Sequence, residues 1–251
     1  MMKTWIASLT LALLSAAAGA AEFPAVLAWS QRATLSTPVS GVVKTVTVTV
    51  GDRVTAGQVL LELDQRPFAT ALRQAKAEVH KHKLHRDEAE RELERTRELY
   101  ERTVISVHDL QLQEIAFGSA EADYAGAQAK LDTARLDLEY SAVHAPFSGL
   151  VLATPVTAGE TVVNSQQATP LIVLGNDQPL LAQAAITAED LRDISPGMAA
   201  GILIDRKRYA GKVLQIANEP DAEGRYLLAV SFDPGDDARL RAGLPARIEI
   251  N

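Results

Sequence analysis

The 251-residue chain contains no cysteine. That excludes disulfides, thiol nucleophiles and thiolate metal centres, and it excludes the lipid anchor that attaches to a cysteine after a signal segment. Aromatic residues make up only 5%, which favours thin β-modules and helical coils over one thick core. The formal net charge of -7 gives no reason to expect nucleic acid as a partner, because that needs a concentrated basic face. No glycine-rich phosphate loop or nucleophile elbow occurs, and the serines, histidines and aspartates form no catalytic arrangement. Met198 is the only methionine after the first two residues, so a thioether copper site has no ligands. The expectation is a protein that is not an enzyme and holds no cofactor or metal.

One apolar stretch stands out at the start. Met1-Met2-Lys3 is short and basic, Trp5 to Leu14 is apolar, and Ala18-Gly19-Ala20 closes the run with small residues. This is the pattern of a cleaved secretory signal over residues 1–20. The rival is an uncleaved anchor, since Trp5 to Ala21 almost reaches the ~20 residues a spanning helix requires. No later run is long enough to span. The chain is expected to be exported and held at a membrane by protein partners.

An internal repeat organises the rest. Pro38-Val39-Ser40-Gly41-Val42-Val43 recurs as Pro146-Phe147-Ser148-Gly149-Leu150-Val151. Ten residues after each of these glycines come Gly51-Asp52-Arg53-Val54 and Gly159-Glu160-Thr161-Val162. Each copy then enters an apolar strand, Val59 to Leu63 and Leu171 to Leu174. The second copy has three extra residues before that strand, within Asn164 to Thr169. Val46, Val48 and Val50 alternate with threonines, which predicts a sheet with one apolar face. The two Gly-acid dipeptides predict turns in which glycine supplies a positive φ. One copy of about thirty residues cannot bury its apolar face alone; two facing copies can. The prediction is a split β-sandwich of quasi-two-fold symmetry, residues 36–66 and 142–176.

Between the copies the period changes. Leu72, Ala75, Val79, His82, Arg86, Ala89, Leu93, Thr96 and Tyr100 follow steps of three and four, as do Leu110, Phe117, Ala120, Tyr124, Ala127, Leu131, Ala134 and Leu138. No proline stands between Pro67 and Pro146. Such heptads predict a coiled coil. The break at Thr103-Val104-Ile105, followed by Ser106 with Asp109 three residues on, predicts a helix cap. Two arms, 67–102 and 106–141, make an antiparallel hairpin (67–141) of about 54 Å at 1.5 Å per residue. His82 and Arg86 stand at apolar seam positions, so the contact there should loosen. From residue 177 short strands return at Leu180 to Ile186, Ala199 to Ile204, Gly211 to Ile216, Tyr226 to Phe232 and Ala246 to Ile250, with a short helix at Asp190 to Ile194. With a strand from Ala25 to Leu35 they predict a small β-barrel, residues 21–35 and 177–251. The fold class is therefore α+β, elongated and multi-domain.

A sandwich interrupted by a long helical hairpin resembles the membrane fusion proteins, or HlyD-like periplasmic adaptors. Leu138-Glu139-Tyr140-Ser141-Ala142-Val143-His144-Ala145-Pro146-Phe147-Ser148-Gly149-Leu150-Val151 is similar to the family's L-x-Y-T-x-I-x-A-P-F-D-G-x-V junction. Gly41-Val42-Val43 and Val50-Gly51-Asp52 match its first half. Leu191, Ile194, Gly197, Gly211-Lys212-Val213 and Leu240-Arg241-Ala242-Gly243-Leu244 match its barrel. The resemblance implies a periplasmic adaptor between an inner-membrane transporter, a resistance–nodulation–division pump, and a TolC-like outer-membrane channel, self-associated as a hexamer. An adaptor of an ATP-driven exporter or type I secretion system is the alternative, and a stand-alone periplasmic scaffold the remaining one. Family members that meet such channels carry R-x3-L-x6-S at the hairpin tip. Arg95, Leu99 and Ser106 satisfy that spacing, although helix capping alone also explains Ser106. Residues 22–35 are too short for the further membrane-proximal β-domain of many pump-associated members, so the barrel is expected to dock alone.

Two other chemistries lack their residues in this sequence. Lipoyl and biotinyl carriers share the sandwich but need a lysine where this chain has Leu63-Asp64-Gln65-Arg66. His82 and His85 share a helix face, but His80 points away, so three-ligand zinc geometry fails.

Overall fold

The structure is a computed structural model and describes residues 21–163, 168–235 and 239–250. The expected signal segment, residues 1–20, lies outside the described residues, as does most of the Asn164 to Thr169 stretch. The chain divides into two compact units, Arg32–Asn176 and the remainder on either side of it. Strands β1 (Ala21–Leu35) and β8 (Ile172–Ile186) lend residues to both.

The first unit holds a sandwich and a helical hairpin. Strands β2 (Gly41–Val46), β3 (Arg53–Val54) and β4 (Val59–Leu63) come from the first repeat. Strands β5 (Ala142–His144), β6 (Gly149–Ala153), β7 (Thr161–Val162) and the start of β8 come from the second. Strands pair across the repeats: β2 with β7 (Gly41↔Val162), β3 with β6 (Arg53↔Leu150) and β4 with β5 (Leu61↔Val143). The symmetry reaches individual atoms. Gly51 N–H donates to Val151 O and Val151 N–H to Asp52 O (2.8 and 2.9 Å). Gly159 N–H donates to Val43 O and Val43 N–H to Glu160 O (both 2.8 Å). Both Gly51 (φ 96) and Gly159 (φ 91) adopt the left-handed turn. Val43, Val54, Leu60, Leu61 and Leu63 then close one core with Val143, Val151, Val162, Leu171 and Leu174.

Val50 departs from the alternation. It is 61% exposed while Val48 is buried, because β2 ends at Val46. Asp52 takes over the backbone beyond it, accepting from Thr49 N at 2.7 Å, and that puts Val50 in the turn.

Helices α1 (Arg66–Glu101) and α2 (Val107–Tyr140) form the antiparallel pair between the repeats. Pro67 occupies the first turn of α1, where no hydrogen bond is lost. Leu93, Ala127, Leu131 and Ala134 are buried in the seam.

In the second unit, β9 (Ala199–Ile204), β10 (Lys207–Ile216), β11 (Tyr226–Phe232) and β12 (Pro245–Ile250) join β1 and β8 in a barrel. The order is β1-β12-β9-β10-β11-β8, closed by pairing of β1 with β8. Phe23, Leu180, Ile186, Ile202, Leu228 and Ile248 fill it. Three details differ from the sequence reading. Strand β8 runs unbroken from Ile172 to Ile186, although Gly175-Asn176-Asp177 has turn composition. Glycine is needed opposite it on β6, since a Cβ on Gly149 would lie 2.3 Å from the Gly175 carbonyl oxygen. Strand β10 begins at Lys207 and not at Gly211, because Asp205 (φ 43) and Arg206 (φ 71) reverse the chain in a two-residue hairpin turn. The short helix shrinks to the 3₁₀ turn Asp190–Arg192, as Ile194 is drawn into the barrel core.

Candidate functional site

The turn between α1 and α2 is built by a few backbone bonds. Arg102 N–H donates to Glu98 O, Thr103 N–H to Tyr100 O and Val104 N–H to Leu99 O, at 3.2, 2.9 and 3.0 Å. Thr103 takes a positive φ of 62, an unusual and costly conformation for a β-branched residue. Ser106 then caps α2. Its hydroxyl accepts from Asp109 N (3.3 Å), and Asp109 Oδ2 accepts from Ser106 N (3.1 Å) and from Ser106 Oγ (2.7 Å). These bonds from Ser106, side chain first and then backbone, hold the Asp109 carboxyl below its ordinary pKa.

Of the three residues singled out from the spacing, Arg95 and Leu99 stand one turn apart on one face of α1. The Arg95 side chain is 71% exposed and, among the described residues, reaches only Glu92 Oε1, at 3.2 Å. Leu99 is half-buried. Ser106 lies at the far side of the turn with its hydroxyl engaged in the cap. The tip also presents apolar side chains that the spacing did not single out. Val104 (66%), Val107, Leu112 and Ile115 (69%) are exposed. Their signal was in the sequence, because Leu112 and Ile115 fall outside the rhythm of Leu110, Phe117 and Ala120. Arg97 and Glu114 (3.6 Å) bridge the two helices just inside the tip.

Further down, the seam becomes polar as expected. The Arg86 guanidinium lies 5.3 Å from the Tyr124 ring centroid and 2.6 Å from Asp87 Oδ1, while its Nε is buried without a hydrogen-bond partner among the described residues. His82 faces Glu78 at 3.6 Å, and its ring is 6.5 Å from that of His85. Among the described residues no group of three or more His, Asp or Glu side chains is placed to hold a metal ion.

At the opposite end of α1, the position that bears lysine in carrier sandwiches is a helix start. Asp64 accepts from Arg66 Nε (2.9 Å) and Nη2 (2.6 Å) and from Arg66 N (3.1 Å). The Arg66 side chain, with its backbone N–H, lowers the Asp64 pKa to about 2.

Residues 31–171, the sandwich with its hairpin, match the family described as CzcB-like, barrel-sandwich hybrid domain. The chain belongs to this family. The chain is 26% identical over 231 residues to the macrolide export protein MacA of Escherichia coli O157:H7 and 30% identical over 218 residues to the multidrug resistance protein MdtA of Yersinia pestis (strain Pestoides F). These alignments cover 84% and 81% of this chain but 62% and 49% of those proteins, so the chain spans less than two thirds of either relative. Its fold is that of the membrane fusion protein Spr0693 from Streptococcus pneumoniae R6, with a TM-score of 0.71 at 17% identity, covering 92% of this chain and 98% of that one. The resemblance to membrane fusion proteins drawn from the junction and first-half residues therefore holds. No helix among the described residues is long and apolar enough to cross a membrane.

Proposed function

We propose that this protein is a periplasmic adaptor, a membrane fusion protein that links an inner-membrane transporter to an outer-membrane channel in a tripartite efflux system. The observation that carries the proposal is the hairpin. Two helices of 36 and 34 residues leave and re-enter one sandwich whose core needs both chain halves. A paired-helix arm of about 50 Å on such a base spans distance and does no bond-making. The export and resistance roles in the names of its relatives support the same reading. The transporter is a resistance–nodulation–division pump, the channel is TolC-like, and the adaptor works as a ring, six subunits in the family. Arg95 donates to carbonyls or carboxylates of the channel, Leu99 packs against it, and Ser106 sets the tip that presents them.

Photo-crosslinking from positions around Val104 in cells, followed by identification of the captured protein, tests this directly. Capture of an outer-membrane channel is the expected result. Substituting Arg95, Leu99 and Ser106 together should abolish co-purification with that channel, and undiminished co-purification would remove these three from the docking site.

A further inference from the structure

Strand β10 starts with a charge on its inward face. Tyr209 and Val213 are buried in the barrel core, whereas Arg208, Ala210 and Lys212 between and beside them are exposed. Lys207 has the parity of Tyr209 and stands opposite Ile204 of β9, itself a core residue. Successive residues of a strand point to opposite faces, so Lys207 belongs to the core side. Its ammonium does not enter the core. Nζ lies 4.7 Å from the centroid of the Tyr209 ring, a favourable position for a cation. That ring is held in turn against Phe232, with centroids 5.4 Å apart. The end of the barrel therefore has an aromatic floor with a cation above it.

This end is hollow. A cavity of about 330 Å³ has Ile204, Tyr209, Leu240 and Leu244 as its apolar lining, with Asp205, Lys207 and Arg239 as its charged lining. One wall is fixed by backbone bonds. Gly243 N–H donates to Leu27 O and Leu27 N–H to Leu244 O, at 2.8 and 2.9 Å, which pins the segment carrying Leu240 and Leu244 to β1. Ligand cavities begin at about 300 Å³, so an occupant here is small. The charges choose its sign. Lys207 and Arg239 outnumber Asp205, in a chain whose net charge is -7. A guanidinium takes a carboxylate through two parallel N–H donors, and an ammonium adds a point charge. A single negative charge matches the one positive charge in excess, and the apolar lining suits a hydrocarbon body.

We propose that this end of the barrel binds a small apolar monocarboxylate. Lys207 and Arg239 hold the carboxylate, and the hydrocarbon part lies over Tyr209 between Leu240 and Leu244. The site goes beyond the adaptor reading and stands without it, since every residue that forms it belongs to the barrel and none to the hairpin.

Octanoate is the probe. Titrated into the purified full chain and followed by amide NMR, it should saturate below about 1 mM, with the largest shifts at Tyr209, Leu240 and Leu244. Octyltrimethylammonium has the same chain with the opposite charge, and acetate has the charge without the chain. Neither should saturate in that range. Lys207→Met and Arg239→Met should each weaken octanoate binding by about tenfold or more, because each removes one charged partner of the carboxylate. Lys212→Met removes a cation from the outward face of β10 and should leave the affinity within about twofold. Circular dichroism checks that each variant is folded, and Lys207→Gln or Arg239→Gln replaces a methionine variant that is not. Absence of saturation by octanoate, equal binding of octyltrimethylammonium, or unchanged affinity in a folded variant at Lys207 or Arg239 would overturn the proposal.

Discussion

Asp64 couples the strand that closes the first repeat to the first turn of the hairpin. Its folded pKa of about 2 lies below the ordinary carboxylate value of about 4, so the unfolded chain binds the proton more readily. Its contribution to stability is therefore complete above about pH 4 and is lost as the pH falls through about 2. An NMR titration of the Asp64 carboxyl should give its midpoint near 2, and Asp64→Asn should flatten the stability profile in that window. Ser106→Ala removes a cap that engages both of its partners. It should cost about 1 kcal/mol in chemical denaturation, and Ser106→Asp should recover most of that loss. Gly51, Gly159 and Ser106 were legible in the sequence because turns and caps rest on local chemistry. Val50 was not, because its exposure follows from where β2 stops pairing, which period-two alternation cannot see.

The hairpin carries its logic in the seam. Leu131→Ala, in the apolar lower part, should cost about 2–4 kcal/mol in denaturant unfolding. Arg86→Met should be neutral or stabilising by about 1 kcal/mol, because it removes the unpartnered Nε while keeping the packing volume over Tyr124. The heptads revealed this element residue by residue, from Leu72 to Leu93 and from Leu110 to Leu138. Their register failed only at the tip, where Tyr100 is 41% exposed and Leu99 turns inward. A straight helix drifts by about 20° per heptad from a strict seven-residue repeat. Four heptads after Leu72, that drift exchanges one position for its neighbour. Pattern reading that assumes a fixed period accumulates this error with length.

At the scale of the whole molecule, two cores share no residue, one in the barrel and one in the sandwich. The barrel strands were legible from alternation and turn residues. The unbroken β8 was not, since Gly175-Asn176-Asp177 has the composition of a loop, and the pairing with β6 that holds Gly175 extended is made by residues distant in sequence. Gly149→Ala tests that pairing. Its Cβ would meet backbone and not a movable side chain, so the variant should lose at least about 1–3 kcal/mol in thermal or denaturant unfolding. The cross-repeat pairing also governs how the polypeptide matures. During synthesis β2, β3 and β4 leave the ribosome well before their partners, and at about 5–20 residues per second the helices that intervene impose a delay of several seconds. For that interval the newborn amino-terminal strands have open edges and uncovered valines and leucines. Until the second repeat arrives, those edges are the part of the chain most prone to aggregate.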